Sequence, residues 1–250
     1  MSFLKRLFGG GQTARFDTAL SPDAPFFVIG DVHGCQRQLD ALSQKMTAHD
    51  PDATRVFVGD YVDRGENSAD VLRTLFALKD DPKVVCLIGN HEDMMLGFID
   101  DPEKKGARWL RYGGLQTLAS FGIGGVTSSS EGAALTTARD ALKETMGDAL
   151  CTWLRDLPAT WRSGNVTVVH AGADPVTPLT LQSSKTFMWG HPDFDRVLRT
   201  DGTWVAHGHT VVEQPTAQGG KIAVDTGAYA TGQLTAAYVT SGDVTFLQSH

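Results

Sequence analysis

A chain of 250 residues can bury a substantial core without disulfides, and its length suits one large domain better than two small ones. With 41% hydrophobic and 20% charged residues, it falls outside disordered and low-complexity compositions. A net charge of −7 supplies no basic field for gripping a polyanionic backbone, which argues against general nucleic-acid binding.

The first residues, Met1-Ser-Phe-Leu-Lys-Arg-Leu-Phe8, are basic and apolar but too short and broken for a secretory signal, and Gly9-Gly-Gly11 follows. Residues 1–22 read as a flexible leader, with a small amphipathic contact to a membrane or partner as the alternative, and residues 23–250 as one catalytic domain. No later run approaches the ~20 apolar residues that span a bilayer, so no stable membrane association is expected. Cys35, Cys86 and Cys151 are widely spaced and in no CxxC pairing, which suggests free thiols in the cytoplasm.

Phe26-Phe-Val-Ile-Gly30 is a short apolar run ending at Gly, and Leu39, Leu42 and Met46 follow at helical spacing. Arg55-Val-Phe-Val-Gly59 repeats the strand signal, then Val71, Leu72, Leu75 and Leu78 form an apolar stripe behind a cap at Asn67 or Ser68. Lys83-Val-Val-Cys-Leu-Ile-Gly89 is a third strand, followed by a helix over 92–99. Strand-loop-helix units repeating at about 30 residues indicate parallel βαβ construction. Residues 100–160 read as a helical insertion, with a Gly- and Ser-rich loop over 122–132. Strand signals return at 165–170, 203–207, 222–225, 234–238 and 244–247. Parallel units followed by closely spaced strands predict an α/β fold of two packed sheets with helices outside.

The predicted strands end in Gly30-Asp31-Val-His33, Gly59-Asp60, Gly89-Asn90-His91 and Val169-His170, and a fifth runs into His207-Gly-His209. Parallel α/β folds place ligands beyond the carboxyl ends of their strands, so these endings converge. Two carboxylates, an amide oxygen and three imidazoles form a mixed oxygen and nitrogen set suited to Mn²⁺, Fe²⁺ or Zn²⁺. With no cysteine in the motifs, a structural zinc site is not expected.

Gly30-Asp-Val-His-Gly34, Gly59-Asp-Tyr-Val-Asp-Arg-Gly65, Gly89-Asn-His-Glu92, His170-Ala-Gly172 and Gly208-His-Thr210 resemble the ordered motifs of the calcineurin-like metallophosphoesterase superfamily. Within it they look most like phosphoprotein phosphatases of the small bacterial and phage type. The resemblance runs from about residue 26 to 230 and implies two mixed β-sheets packed face to face and flanked by helices. It implies two divalent metal ions, Mn²⁺ first and Fe or Zn as alternatives, with Asp31 and His33 on one, Asp60 bridging, and Asn90, His170 and His209 on the other. His207 matches no ligand position and reads as structural.

By the same resemblance a hydroxide bridging the ions attacks phosphorus, His91 acts as general acid, Asp63 orients His91, and Arg64 binds phosphate together with Asn90. Where the family carries a second phosphate-binding Arg after a Trp, this chain reads Met188-Trp-Gly-His191, so His191 is the candidate there, with Arg196 as a substitute. The presence of Asp63 and of Glu92 after Asn90-His91 favours a serine/threonine protein phosphatase acting on a phosphoprotein or phosphopeptide. Hydrolysis of dinucleoside polyphosphates such as diadenosine tetraphosphate is the alternative, and a non-catalytic phosphate-binding scaffold the remote one.

Overall fold

A computed structural model describes residues 15–250. One sheet holds β1 (Phe26–Ile29), β2 (Thr54–Phe57), β3 (Val84–Cys86), β9 (Thr235–Thr240) and β10 (Asp243–Gln248), in the order β10-β9-β1-β2-β3. Its first three strands are parallel and the last two antiparallel. The other sheet holds β4 (Thr160–Ser163), β5 (Val166–Val169), β6 (Trp204–His207), β7 (Thr216–Gln218) and β8 (Lys221–Ala223), in the order β4-β5-β6-β8-β7. Here β5, β6 and β8 are parallel, and the antiparallel β4 and β7 form the edges.

Alternation of side chains along a strand assigns each residue to a layer. Phe26 and Val28 of β1 point between the sheets, where they meet Val166, Val168, Ala206 and Ile222. Phe27 and Ile29 point the other way, into a core shared with the helices. The two mixed sheets flanked by helices match the architecture expected from the motifs.

The helices α1 (Gln36–His49), α2 (Ser68–Ala77) and α3 (Asn90–Asp100) follow the first three strands. Leu39, Leu42 and Met46 are the buried stripe of α1, and Val71, Leu72 and Leu75 that of α2. The expected insertion is helical: α4 (Pro102–Trp109), α5 (Leu115–Ser120) and α6 (Ala133–Asp156), with a π-type turn over Leu110–Gly114 between the first two. Gly113 takes φ 115° there, and a Cβ on it would lie 2.6 Å from the backbone nitrogen of Arg64. The turn is thus pressed directly onto the Asp63-Arg64 loop. Two short helices, α7 (Ser184–Trp189) and α8 (Ala228–Thr231), complete the chain.

The edge strands β4 and β7 carried no signal in the sequence, because Thr160-Trp-Arg-Ser163 and Thr216-Ala-Gln218 are largely solvent-facing and lack an apolar run. The first 14 residues of the expected leader lie outside the described ones. Its remainder is docked rather than loose: Trp204 Nε1 donates to Thr18 O (2.8 Å), Asn165 Nδ2 to Ala19 O (2.8 Å), and Leu20 is buried in the inter-sheet core. Among the described residues no helix is long and apolar enough to cross a membrane, and all three cysteines are free.

Candidate active site

The parallel strands of both sheets deliver the candidate residues to one end of the sandwich. Asp31 follows β1, Asp60 follows β2, Asn90 opens α3 after β3, His170 follows β5, and His209 lies just beyond β6. Among the described residues, every non-glycine with positive φ belongs to these loops: His33 (42°), Asp60 (54°), Asp63 (72°), Arg64 (67°) and His209 (63°). Left-handed backbone at side chains of this size is strained and persists where surrounding structure enforces it, typically at functional sites. Gly208 permits a close approach, since a Cβ there would overlap an Asp31 carboxylate oxygen.

Asp60 lies at the centre. Its Oδ2 stands 3.6 Å from His33 Nε2, 3.8 Å from His91 Nε2 and 3.4 Å from His170 Nε2. Two groups of donor atoms each lie within 4.8 Å of one another, His33-Asp60-His91 and Asp60-His170-His209, and Asp60 belongs to both. Asn90 Oδ1 sits 2.8 Å from His170 Nε2 and 2.9 Å from His209 Nδ1. Asp31 accepts the backbone N–H of His209 at 3.1 Å on both oxygens.

The hydrogen bonds define what these imidazoles present. A carbonyl oxygen only accepts, so His33 Nδ1 donates to Val62 O (2.7 Å) and His170 Nδ1 to Val58 O (3.1 Å). In the neutral ring each Nε2 therefore turns a lone pair into the site, an arrangement typical of metal-ligating histidines. His33 Nε2 is buried with no hydrogen-bond partner, and His170 Nε2 faces the oxygens of Asn90 and Asp60. Lone pairs converging in this way are satisfied by a proton on one of the rings or by a cation that replaces it.

The electrostatics agree with that reading. Burial drives the pKa of His33 down to about 3 and that of His209 to about 4, keeping both rings neutral and able to coordinate. Burial, Asp225 and Asp60 together push Asp31 well above the ordinary carboxylate range. Burial also pushes Asp60 up, but attraction to the facing His170, His91 and His33 rings when they carry a proton outweighs it and holds that carboxyl well below its ordinary value. The site is suited to divalent metal.

Beside it, His91 Nδ1 contacts Asp63 Oδ2 at 2.6 Å and His91 Nε2 lies 3.3 Å from Arg64 Nη2. Burial lowers the pKa of His91, whereas Asp60 and Asp63 raise it more, for a net upward shift. His191 is not in this cluster. It lines a shallow cleft with His209, and its Nδ1 accepts the backbone N–H of Asp193 at 3.3 Å. Arg196 is exposed. His207 packs edge-on against Phe194 with its Nδ1 3.0 Å from Gly208 O, consistent with a structural role.

Several residues escaped the sequence reading. Asp225, 3% exposed at the end of β8, adds a third carboxylate, and the signal was available, since a sixth parallel strand ends in an acid before Thr-Gly. Tyr229 lies with its ring 4.8 Å from the Arg64 guanidinium and edge-on to His33. Trp109 and Thr117 both bond Asp63, across a separation that no local pattern reveals. Glu92 did not escape, but its role did: read in the sequence as a mark of substrate class, it accepts backbone N–H groups from Gly89, Asp60 and Tyr61, tying two strand ends together.

The family model described as calcineurin-like phosphoesterase matches residues 24–213, and the chain belongs to that family of metal-dependent phosphoester hydrolases. A Bacillus velezensis protein named asymmetrical bis(5′-nucleosyl)-tetraphosphatase is 28% identical over 231 residues, covering 83% of this chain and 86% of the relative. Its namesake from Bacillus subtilis is 27% identical over 83% and 88%. The crystal structure of a presumed diadenosine tetraphosphatase superposes with a TM-score of 0.63 at 21% identity, covering 90% of this chain and 94% of that one.

These relatives overturn the protein-phosphatase reading of the motifs and the phosphoprotein or phosphopeptide substrate attached to it. The discriminating residues were poor witnesses for a physical reason. Asp63 and Glu92 are fully buried, bonded to His91 and to backbone N–H groups, and neither meets the surface a substrate touches.

Proposed function

We propose that this chain hydrolyses dinucleoside polyphosphates, with asymmetric cleavage of diadenosine tetraphosphate as the leading case. The reading is carried by similarity over 83% of this chain to relatives named for that activity, on a site whose donors fit divalent metal. Asp31, His33, Asp60, Asn90, His170 and His209 would hold two ions, with Asp60 shared; Mn²⁺ suits this mixed set, and Fe or Zn are alternatives. Bound ions supply Lewis acidity toward water and phosphoryl oxygen.

The chain's own residues do the rest. Arg64, steadied by Tyr229, offers a planar donor pair to a phosphoryl oxygen. His91, held by Asp63, carries a proton toward the departing oxygen. Water adds to phosphorus as the P–O–P bridge breaks, releasing two nucleotides. A departing phosphate is a much weaker base than an alkoxide, so proton transfer from His91 matters less here than for a simple alkyl ester. A nucleotide substrate and three free thiols fit the cytoplasm.

The test is incubation of metal-free and Mn²⁺-loaded protein with diadenosine tetraphosphate, the products being separated by anion exchange. Metal-dependent release of two unequal nucleotides is expected. Turnover of a phosphothreonine peptide without turnover of the dinucleotide overturns the reading.

A further inference from the structure

A cavity of about 440 Å³ opens at Asp93, about one helical turn along α3 from Asn90. Nothing in the hydrolytic site uses it. Met94, Leu96 and Gly97 supply apolar lining, and Lys105 and Arg108 of α4 flank them. Trp189, the last residue of α7, closes the side toward the catalytic centre. The indole is fixed on two sides: Nε1 donates to Asp93 Oδ2 at 3.1 Å, and the Arg108 guanidinium stacks 4.7 Å from the ring centroid. The same indole lines the cleft containing His191 and His209, so cavity and cleft meet at this side chain.

Charge narrows the occupant. Arg155 is neutralised by a bidentate pair with Asp100 (2.6 and 3.2 Å). Lys105 and Arg108 have no carboxylate partner among the described residues, in a chain whose net charge is −7. Against Asp93, the lining carboxylate that bonds the indole, two cations beside a pocket of mixed polar and apolar lining with an aromatic wall fit a ligand that is flat at one end and polyanionic along its length. The volume lies in the range of small-molecule sites.

We propose that this cavity is the subsite for the distal nucleoside of a dinucleoside polyphosphate, its base against Trp189 and its phosphate chain passing Arg108 and Lys105 on the way to the metal centre. The proposal rests on the dinucleotide reading above. It assigns Trp189, Arg108 and Lys105 to substrate selection rather than to bond cleavage.

The test compares steady-state kinetics of wild type, Trp189→Leu, Arg108→Ala and Lys105→Ala on diadenosine tetraphosphate and on p-nitrophenyl phosphate, which has one phosphate and no nucleoside. KM for the dinucleotide is expected to rise about tenfold in Trp189→Leu, within the range measured for base–aromatic stacking. Smaller rises are expected in the two surface variants, Arg108→Ala and Lys105→Ala, with their kcat/KM for p-nitrophenyl phosphate unchanged. Unchanged dinucleotide KM in all three, or equal losses on both substrates in Arg108→Ala and Lys105→Ala, overturns the subsite alone. Wild-type protein that cleaves p-nitrophenyl phosphate but leaves the dinucleotide intact overturns the underlying reading as well.

Discussion

The indole Nε1 of Trp109 donates to both carboxylate oxygens of Asp63, each at 3.0 Å, although the two residues are 46 positions apart. Thr117 Oγ1 adds a 2.7 Å bond to Asp63 Oδ1 and accepts the backbone N–H of Asp63 at 2.8 Å. Both side chains come from the insertion between α3 and β4. A segment that reads in the sequence as a helical insertion therefore fixes the carboxylate that in turn fixes His91.

Trp109→Phe isolates this contact, because the ring that packs against Phe98 is kept and only the donor is lost. Loss of one hydrogen bond to a buried charge costs about 2 kcal/mol, roughly 4–8 °C in Tm for a domain of this size. We expect that fall together with a lower kcat, read by thermal unfolding and steady-state kinetics. Wild-type values for both would remove Trp109 from the acid's support.

Asp63→Asn tests the next link. Burial lowers the pKa of His91, while Asp60 and Asp63 raise it more, so the protonated ring persists to higher pH than an isolated imidazole. Removing the Asp63 charge lowers that pKa, and the protonated form is lost earlier as pH rises. The alkaline limb of the kcat profile should move to lower pH, with kcat down by roughly tenfold or more at neutral pH. A limb that stays in place would separate Asp63 from His91 function.

What the sequence reveals of this site is what short-range pattern can encode. Strand endings such as Gly59-Asp60 and Gly89-Asn90 announce themselves because an apolar run, a turn glycine and a polar side chain are adjacent in the chain. Trp109, Thr117 and Tyr229 act through contacts made only after folding; the first two read locally as ordinary residues of a helical insertion, and Tyr229 as part of a connection between strands. Substrate class was misread because Asp63 and Glu92 serve the interior of the site. The residues that meet a large substrate, Trp189 and Arg108 in the present proposal, lie in helices outside the motifs.

His191→Ala bears on the position where a second phosphate-binding arginine was expected. The ring lines the cleft beside His209 rather than the buried cluster, so it can touch the phosphate chain without touching the reacting atoms. KM is expected to rise more than kcat falls. Equal KM values in mutant and wild type would exclude a substrate contact.

His91→Ala should distinguish two leaving groups. An alkyl phosphate expels a strong base and should lose roughly 100-fold or more in kcat, the usual scale of general-acid catalysis. A dinucleoside polyphosphate expels a nucleotide phosphate, which departs without full protonation, so the loss should be markedly smaller. Equal losses on both substrates would mean that His91 acts by charge or position and not by giving up a proton.

Asp225→Asn should change stability in opposite directions with and without metal. Burial, Asp225 and Asp60 raise the pKa of Asp31, and a carboxyl whose pKa is raised in the folded state costs stability as pH rises from its unfolded value through the folded one. In chelator-stripped protein at neutral pH the neutral amide relieves this repulsion, while its Oδ1 can still accept the Gly227 N–H that Asp225 accepts at 2.8 Å. Metal-free Tm should therefore rise, by a few degrees if the relief is about 1 kcal/mol. Mn²⁺ binds a less negative cage more weakly, and a 10- to 100-fold loss of affinity, the usual cost at residues supporting a metal site, removes about 1.4–2.7 kcal/mol of metal-induced stabilisation. Thermal unfolding across a Mn²⁺ titration reads both effects in one series. If the metal-free variant melts below metal-free wild type, Asp225 is a packing residue and not part of the charge that a cation balances.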